Sequence, residues 1–211
     1  PHHNPFVALK RPETTEFSGP VLGATLVYSG NFLIQAEVDT YDVTRLQLGI
    51  NPFGFEWKLA PGQSFTSPEA LLVYSERGLN GMSQVFHQLF RRRLARGYWR
   101  ERARPVLINN WEATYFDFSE NQLLELAEKA QAVGVELFVL DDGWFGQRTN
   151  DRAGLGDWFV NPERLPQGLG SLAERIHGLG MQFGLWFEPE MVNKDSQLYQ
   201  THPDWLLAVP D

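Results

Sequence analysis

The stretch PVLINNWEATYFDF, residues 105–118, and the stretch ELFVLDDGWFG, residues 136–146, decide the fold of this chain. Each stretch contains a short apolar run, Val106–Ile108 in the first and Leu137–Leu140 in the second, and each run ends abruptly in polar and aromatic residues. An amphipathic segment lies between them. This order predicts a strand–helix–strand unit whose functional side chains follow the carboxyl ends of the strands.

The segment between the two strands has the pattern of a capped helix. Ser119 and Gln122 form a capping box at its start, and Gly134 marks its end. The plan is then repeated, because a second helical pattern ends near Gly180 and is followed by a third apolar run at Gln182–Phe187. A short helix is predicted after that strand, at Asp195–Gln200.

Three successive units of this kind favour a (β/α)₈ barrel over a nucleotide-binding sheet, because no glycine spacing of a dinucleotide turn is present. The long loop Gly143–Pro166 lies after the second strand, and loops of that length are more often functional than idle. Residues 105–211 are too few for a complete barrel, which needs about 250 residues. We therefore predict the first units of an incomplete barrel.

Residues 1–80 have the pattern of strands. Phe32–Val38 and Arg45–Ile50 alternate in part between apolar and polar residues, and Leu71–Tyr74 is a further apolar run. Proline and glycine residues separate these runs, and no long helical period interrupts them. We predict an antiparallel β-sandwich portion over residues 1–80.

Residues 81–104 have the pattern of a helical linker. Its apolar residues recur at helical spacing from Ser83, which we interpret as the N-cap, towards Gly97, which we interpret as the stop. The segment also carries a basic cluster, which consists of Arg91, Arg92, Arg93 and Arg96. We interpret the cluster as the solvated face of the helix rather than as an anion site, because the chain as a whole is acidic.

The composition excludes several classes of protein. The 211 residues carry a formal net charge of −8, so there is no global basic surface for nucleic acid. The chain has no cysteine, which rules out disulfides and thiolate metal sites and fits a reducing compartment, so we expect a cytoplasmic protein. No apolar run reaches the roughly 20 residues that span a bilayer, so we expect no membrane partner.

Carboxylates and tryptophans crowd three strand ends. Trp111 follows the first strand, Asp141 and Asp142 follow the second, and Trp186 and Glu190 follow the third. The ends of parallel barrel strands converge on one mouth. Carboxylates accept charge-assisted hydrogen bonds from hydroxyl groups, and an indole covers the apolar face of a sugar ring. The pattern predicts a sugar site rather than a phosphate site, which requires arginine or a helix N-terminus.

Each of these residues also has a purely structural interpretation. Asp142 followed by glycine is an ordinary turn signal, and Trp111 and Trp186 fit core packing equally well. The proline between Glu188 and Glu190 is also explained as a device that holds a polar strand exit extended. Only the repetition of the same character at three strand ends favours a functional site.

Several longer motifs carry a resemblance to a known family. They are HNPF at 3–6, NNWEAT at 109–114, DDGWFG at 141–146, LGDW at 155–158, GLWFEPEM at 184–191 and HPDW at 202–205. Together they resemble the α-galactosidases of glycoside hydrolase family 36, and the resemblance extends over essentially the whole chain.

The resemblance implies three regions. Residues 1–80 correspond to the C-terminal part of a β-supersandwich domain, residues 81–104 to a helical linker, and residues 105–211 to the first three βα units of the catalytic (β/α)₈ barrel. It implies a retaining hydrolase that releases terminal α-linked galactose from oligosaccharides such as raffinose and melibiose, with no cofactor and no metal. It also implies a homo-oligomer, since tetramers are common in the family.

The resemblance assigns binding roles but no catalytic residue. By resemblance, Asp141 and Asp142 bind the 4- and 6-hydroxyl groups of galactose, Trp111 and Trp186 shape and stack the same subsite, and Glu190 lies behind it. The family's nucleophile, an aspartate in a Lys-Trp-Asp motif, and its acid/base aspartate have no counterpart in these 211 residues. We therefore expect the chain to carry the galactose-binding part without turnover.

Three alternatives stay open at this point. One is a sugar-binding fragment with no catalytic function. Another is a purely structural fragment whose incomplete barrel exposes unpaired strand edges and self-associates. The third is a metal-dependent barrel enzyme in which Asp141, Asp142, Glu188 or Glu190 ligates Mg²⁺ or Mn²⁺. No histidine accompanies these acids, which weighs against the metal-dependent enzyme.

Overall fold

The computed structural model describes residues 3–208 and divides the chain into two compact units, Pro1–Arg102 and Ala103–Asp211. The first unit contains the strands β1 (Phe6–Lys10), β2 (Val21–Leu26), β3 (Phe32–Val38), β4 (Thr44–Ile50) and β5 (Ala70–Ser75). β1, β2 and β5 form an antiparallel sheet in that order, and β3 pairs with β4 in a separate antiparallel hairpin. The three strands predicted in this region are confirmed, with shifts of at most one residue at their ends.

The core of the first unit lies between the three-stranded sheet and helix α1 (Gly78–Leu89). Met82 and Phe86 of α1 are buried together with two valines of the sheet. Gly23 of β2 allows this close approach, since a Cβ atom added there would lie 2.4 Å from the Met82 sulfur. Much of the predicted linker over residues 81–104 therefore packs within the first unit.

The prediction that Ser83 caps this helix is wrong. α1 begins at Gly78, and its first-turn N–H groups are satisfied by carbonyl groups that lie far away in the sequence. The N–H of Leu79 donates to the Thr15 carbonyl at 3.2 Å, and the N–H of Asn80 donates to the Glu16 carbonyl at 2.9 Å. A side-chain cap is not needed where the preceding fold supplies the acceptors.

The predicted stop of this helix at Gly97 is also placed too late. The helix continues past Leu89 only as a π-helical turn over Phe90–Leu94, and Ala95 is already extended. The basic cluster lies on and just after this turn, and its four arginines are exposed, as the interpretation of a solvated face requires.

The second unit is built on three parallel strands, β6 (Leu107–Asn109), β7 (Leu137–Leu140) and β8 (Gln182–Leu185), with β7 in the centre. Its helices are α2 (Trp111–Thr114), α3 (Glu120–Ala132), α4 (Gly168–Gly178) and α5 (Gln197–Thr201). The predicted alternation of strand and helix is confirmed. β8 ends at Leu185, two residues earlier than predicted, and α5 begins two residues later, after the N-cap Ser196.

The core of this unit lies between the sheet and helices α3 and α4. Leu123 and Ala127 of α3, Phe138 of β7, and Leu172 and Ile176 of α4 are all inaccessible to solvent. The apolar residues of α3 and α4 recur at helical spacing, so each helix has one apolar face. These faces and β7 together form the core layer between the helices and the sheet. Within residues 3–208, no helix is long and apolar enough to cross a membrane.

The start of α3 matches the predicted capping box. The Ser119 N–H donates to the Gln122 side-chain oxygen at 2.8 Å, and the Ser119 hydroxyl accepts from the Gln122 N–H at 3.4 Å. The helix ends at Ala132, and Gly134 follows with φ +90°, a left-handed conformation that glycine adopts without strain.

We expect Ser119→Ala to lower the free energy of unfolding by about 1 kcal/mol, because the Gln122 N–H in the first turn loses its side-chain acceptor. The control is Ser83→Ala, which lies inside α1 and should change stability by less than about 0.5 kcal/mol. Urea unfolding followed by circular dichroism measures both changes. Equal losses in the two variants would contradict the assignment of the caps.

Candidate active site

Two adjacent aspartates, Asp141 and Asp142, follow the last residue of β7, and both are buried. The chain turns directly after them, since Gly143 has φ +93°. The Asp142 N–H donates to the Asp141 carboxylate at 2.6 Å, and the Gly143 N–H donates to the Asp142 carboxylate at 2.7 Å. The turn that the sequence requires if the two carboxylates are to converge is therefore present.

Two asparagines at the end of β6 hold Asp141. The Asn109 amide donates to Asp141 Oδ2, and its oxygen accepts from the Trp111 N–H at 2.7 Å. Asn110 is fully buried; its oxygen accepts from the Asp141 N–H at 2.8 Å, and its amide donates to the Thr114 hydroxyl at 2.9 Å. Both asparagines stand in the quoted motif, yet sequence reasoning gave them no role.

Asp142 is held by a buried arginine that sequence reasoning missed. Arg148 Nη2 lies 2.7 Å from Asp142 Oδ2, and Arg148 Nε lies 2.9 Å from Asp142 Oδ1. Arg148 Nη1 also donates to the Ala153 carbonyl at 3.0 Å. The signal that could have found it is electrostatic, because two adjacent buried acids require a counter-charge, and Arg148 is the first basic residue after them.

The two carboxylates differ in their remaining capacity to accept hydrogen bonds. A carboxylate has about four acceptor positions. Asp141 receives two protein donors, from Asn109 and from the Asp142 N–H. Asp142 receives three, from the Gly143 N–H and from Nε and Nη2 of Arg148. Asp141 is thus the freer acceptor, and Asp142 keeps one position.

Two half-buried indoles lie at the neighbouring strand ends. Trp111 packs edge-on against Phe116, with 4.9 Å between the ring centres. The Trp186 N–H donates to the Leu140 carbonyl at 2.9 Å, which continues the β7–β8 register and places Trp186 beside Asp141. The Trp186 carbonyl in turn accepts from the buried Trp144 indole at 3.0 Å. Trp111, Asp141 and Trp186 therefore lie at adjoining ends of the three parallel strands.

Glu190 is placed elsewhere in the second unit. It is exposed, and it lines a cavity of about 410 Å³ together with residues such as Tyr199 and His202. None of the other four predicted site residues lines that cavity. Among residues 3–208, no three histidine or acidic side chains come close enough together to hold a metal ion, so the ligand set of the metal-dependent alternative is not assembled there.

Comparison with protein families identifies the class to which the chain belongs. The melibiase family model matches residues 64–211, and the model of the glycosyl hydrolase family 36 N-terminal domain matches residues 1–60. The chain therefore belongs to the melibiase family. The resemblance to glycoside hydrolase family 36 that the sequence motifs predict is confirmed.

Individual relatives support the same assignment. The chain is 58% identical over 208 residues to the α-galactosidase AgaA of Geobacillus stearothermophilus. This alignment covers 99% of this chain and 28% of AgaA. The crystal structure of AgaB from the same organism has a TM-score of 0.94 and 59% identity, over 99% of this chain and 29% of AgaB. The crystal structure of a doubly substituted AgaA in complex with raffinose has a TM-score of 0.94 and 57% identity. It too is matched over 99% of this chain and 29% of its own length. The chain thus spans little more than a quarter of the length of these relatives.

We expect Asn110→Ala to destabilise the second unit by about 1–3 kcal/mol, because the Asp141 N–H loses its acceptor inside the protein. The control is Asn121→Ala, an exposed residue in the first turn of α3, for which we expect a change within about 0.5 kcal/mol. Chemical denaturation measures both. A neutral result for Asn110→Ala would mean that this buried bond contributes nothing.

Proposed function

We propose that these 211 residues form the galactose-binding part of an α-galactosidase that releases terminal α-linked galactose from oligosaccharides such as raffinose and melibiose. The observation that carries the proposal is a buried carboxylate, Asp141, with two free acceptor positions beside two half-buried indoles, Trp111 and Trp186. The α-galactosidase activity named for AgaA and the raffinose bound to its variant support the same substrate class.

The proposed selectivity has a direct physical basis. The 4-hydroxyl group of galactose is axial and would donate to a carboxylate placed for it, whereas the equatorial hydroxyl of glucose would leave that acceptor unpaired. Hydrogen bonds to a charged acceptor contribute about 1.5–3 kcal/mol each. Between them, Asp141 and Asp142 would accept from the 4- and 6-hydroxyl groups, while Trp111 and Trp186 would cover the apolar face of the ring. Glu190 lines a separate cavity, so it would support this subsite indirectly and would not contact the sugar.

These residues would supply binding rather than bond cleavage. A retaining glycosidase uses two carboxyl groups about 5–5.5 Å apart on either side of the scissile bond. Asp141 and Asp142 belong to a single strand end, and their hydrogen bonds to Asn109 and Arg148 suit fixed acceptors. We assign the nucleophile and the acid/base to the part of the relatives that this chain does not span.

We also propose the three-region organisation expected from the family. It consists of a β-supersandwich portion over residues 1–80, a helical linker over 81–104 and the first three units of a (β/α)₈ barrel over 105–211. The antiparallel sheets of the first unit and the parallel order β6-β7-β8 of the second support it. A homo-oligomeric, cytoplasmic parent enzyme without membrane or nucleic-acid partners completes the proposal.

The first test is hydrolysis of an aryl α-galactoside by the chain, with its intact mass verified. We expect no turnover but measurable galactose binding in a ligand-observed NMR titration. Asp141→Asn should weaken galactose binding about tenfold, which corresponds to the loss of one charge-assisted hydrogen bond. The control is Asp151→Asn, an exposed residue of the loop after β7, which should leave the affinity unchanged.

Two results would overturn this proposal. Turnover by a chain of the correct mass would mean that acids within these 211 residues perform the chemistry. Equal galactose affinities for the wild-type chain and Asp141→Asn would remove Asp141 from the sugar site.

A further inference from the structure

We propose that Arg148 is a positioning residue that sets the sugar selectivity of the site through Asp142. The inference rests on the proposed galactose-binding function and adds to it a residue that makes no contact with the sugar itself. Its evidence is the geometry around the guanidinium group.

Arg148 fixes the direction of the Asp142 carboxylate. The two side chains are only 4% and 8% exposed, and they meet through a two-pronged contact at 2.7 and 2.9 Å. A planar guanidinium opposite a planar carboxylate defines the orientation of both oxygens, which a single ammonium group does not do. The one acceptor position left on Asp142 therefore has a fixed direction.

Arg148 also joins this carboxylate to the loop that follows it. Its Nη1 donates to the Ala153 carbonyl at 3.0 Å, and the chain passes so close to its backbone that a Cβ atom added at Gly154 would lie 2.8 Å from the backbone nitrogen of Arg148. Gly154 has φ +77°, so the loop closes over Arg148 in a conformation that favours glycine. The loop thus holds Arg148 through its backbone at Gly154 and through its guanidinium group at Ala153.

A third contact leads from Arg148 towards the indole. The guanidinium carbon lies 5.6 Å from the centre of the Phe116 ring, and that ring packs edge-on against Trp111 at 4.9 Å. Arg148 therefore contacts the Asp142 carboxylate directly and is linked through the Phe116 ring to Trp111, the predicted stacking surface of the subsite.

Loss of the two-pronged contact would alter selectivity more than sugar binding in general. An Asp142 carboxylate that no longer meets a planar guanidinium group could rotate, so the direction of its remaining acceptor position would no longer be fixed. Since Asp142 shares the 4- and 6-hydroxyl groups with Asp141, an undirected Asp142 would no longer help to distinguish the axial 4-hydroxyl group of galactose from the equatorial 4-hydroxyl group of glucose. The indole faces of Trp111 and Trp186 would still cover either ring, so weak binding of both sugars would persist.

The test compares the galactose and glucose affinities of the wild-type chain with those of Arg148→Lys, which keeps the charge but loses the fork geometry. We define the selectivity ratio as the dissociation constant for glucose divided by that for galactose. We expect this ratio to fall about tenfold, because one well-directed hydrogen bond to a charged group is lost. The matched control is Arg175→Lys, whose arginine bonds to Glu120 at 3.0 Å between α4 and α3, and whose ratio should stay at the wild-type value. Ligand-observed NMR titrations give the constants, and amide spectra verify the fold.

A double-mutant cycle of the wild-type chain, Arg148→Met, Asp142→Asn and the double variant tests whether Arg148 acts through Asp142. We expect Asp142→Asn alone to reduce the ratio as far as the double variant Asp142→Asn with Arg148→Met, because the second change has nothing left to position. The double variant also removes both buried charges, so it provides a folded comparison if Arg148→Lys does not fold. Additive losses of selectivity would overturn the inference.

The failure of this inference is distinguishable from failure of the proposed function. A wild-type chain that binds galactose no better than glucose overturns both. A selective wild-type chain whose folded Arg148→Lys variant, or whose folded double variant, keeps the full ratio overturns the role of Arg148 alone. Equal losses for both sugars in these variants would assign Arg148 a purely structural role and would also overturn it.

Discussion

Two neighbouring carboxylates, Asp141 and Asp142, are buried at the end of β7, and removing each charge from water costs several kcal/mol. The ion pair with Arg148 offsets this cost for Asp142, while amide and backbone donors stabilise Asp141. The two acids are thereby made unequal. One is nearly saturated by the protein, and the other keeps acceptor positions for a ligand. The loop after β7 supplies the cation for this pair, Arg148.

The parallel register of the sheet assembles the remaining parts. β6 pairs with β7 so that Asn109 lies opposite Val139, which brings its amide within reach of Asp141, the residue directly after β7. The same asparagine accepts from the Trp111 N–H and so fixes the start of α2. A shift of one residue in this pairing would move the amide to the opposite face of the sheet and break its bond to Asp141. The position of Asn109 against Asp141 is therefore set by the β6–β7 register.

Local patterns predicted part of this structure, and contacts between distant segments determined the rest. The capping box at Ser119 lies within four residues of sequence, so it was visible from the sequence, whereas α1 takes its first-turn acceptors from Thr15 and Glu16 and gave no local signal at Gly78. The strand ends that carry Asp141, Asp142, Trp111 and Trp186 could be predicted because parallel strands in successive units end on the same side.

The residues that sequence reasoning missed or placed differently depend on loop conformation. Arg148 reaches Asp142 only because the loop turns back at Gly143, and the sequence shows the need for a cation without showing which one supplies it. Glu190 shares a motif with Trp186, but the chain leaves β8 at Leu185 and a turn over residues 188–191 carries Glu190 to another cavity. Proximity in the sequence was a poor guide beyond the end of a strand.

The burial of the Arg148–Asp142 pair has a consequence for how the site responds to its surroundings. Dissolved ions screen charges only where they can approach them, over a distance of about 8 Å at physiological ionic strength. The pair between Arg45 and Asp39, at 3.1 Å with the arginine side chain 59% exposed, is open to such screening. The Arg148–Asp142 pair in the candidate site is buried and is therefore screened much less. The direction in which Asp142 presents its remaining acceptor is thus insulated from the salt content of the medium.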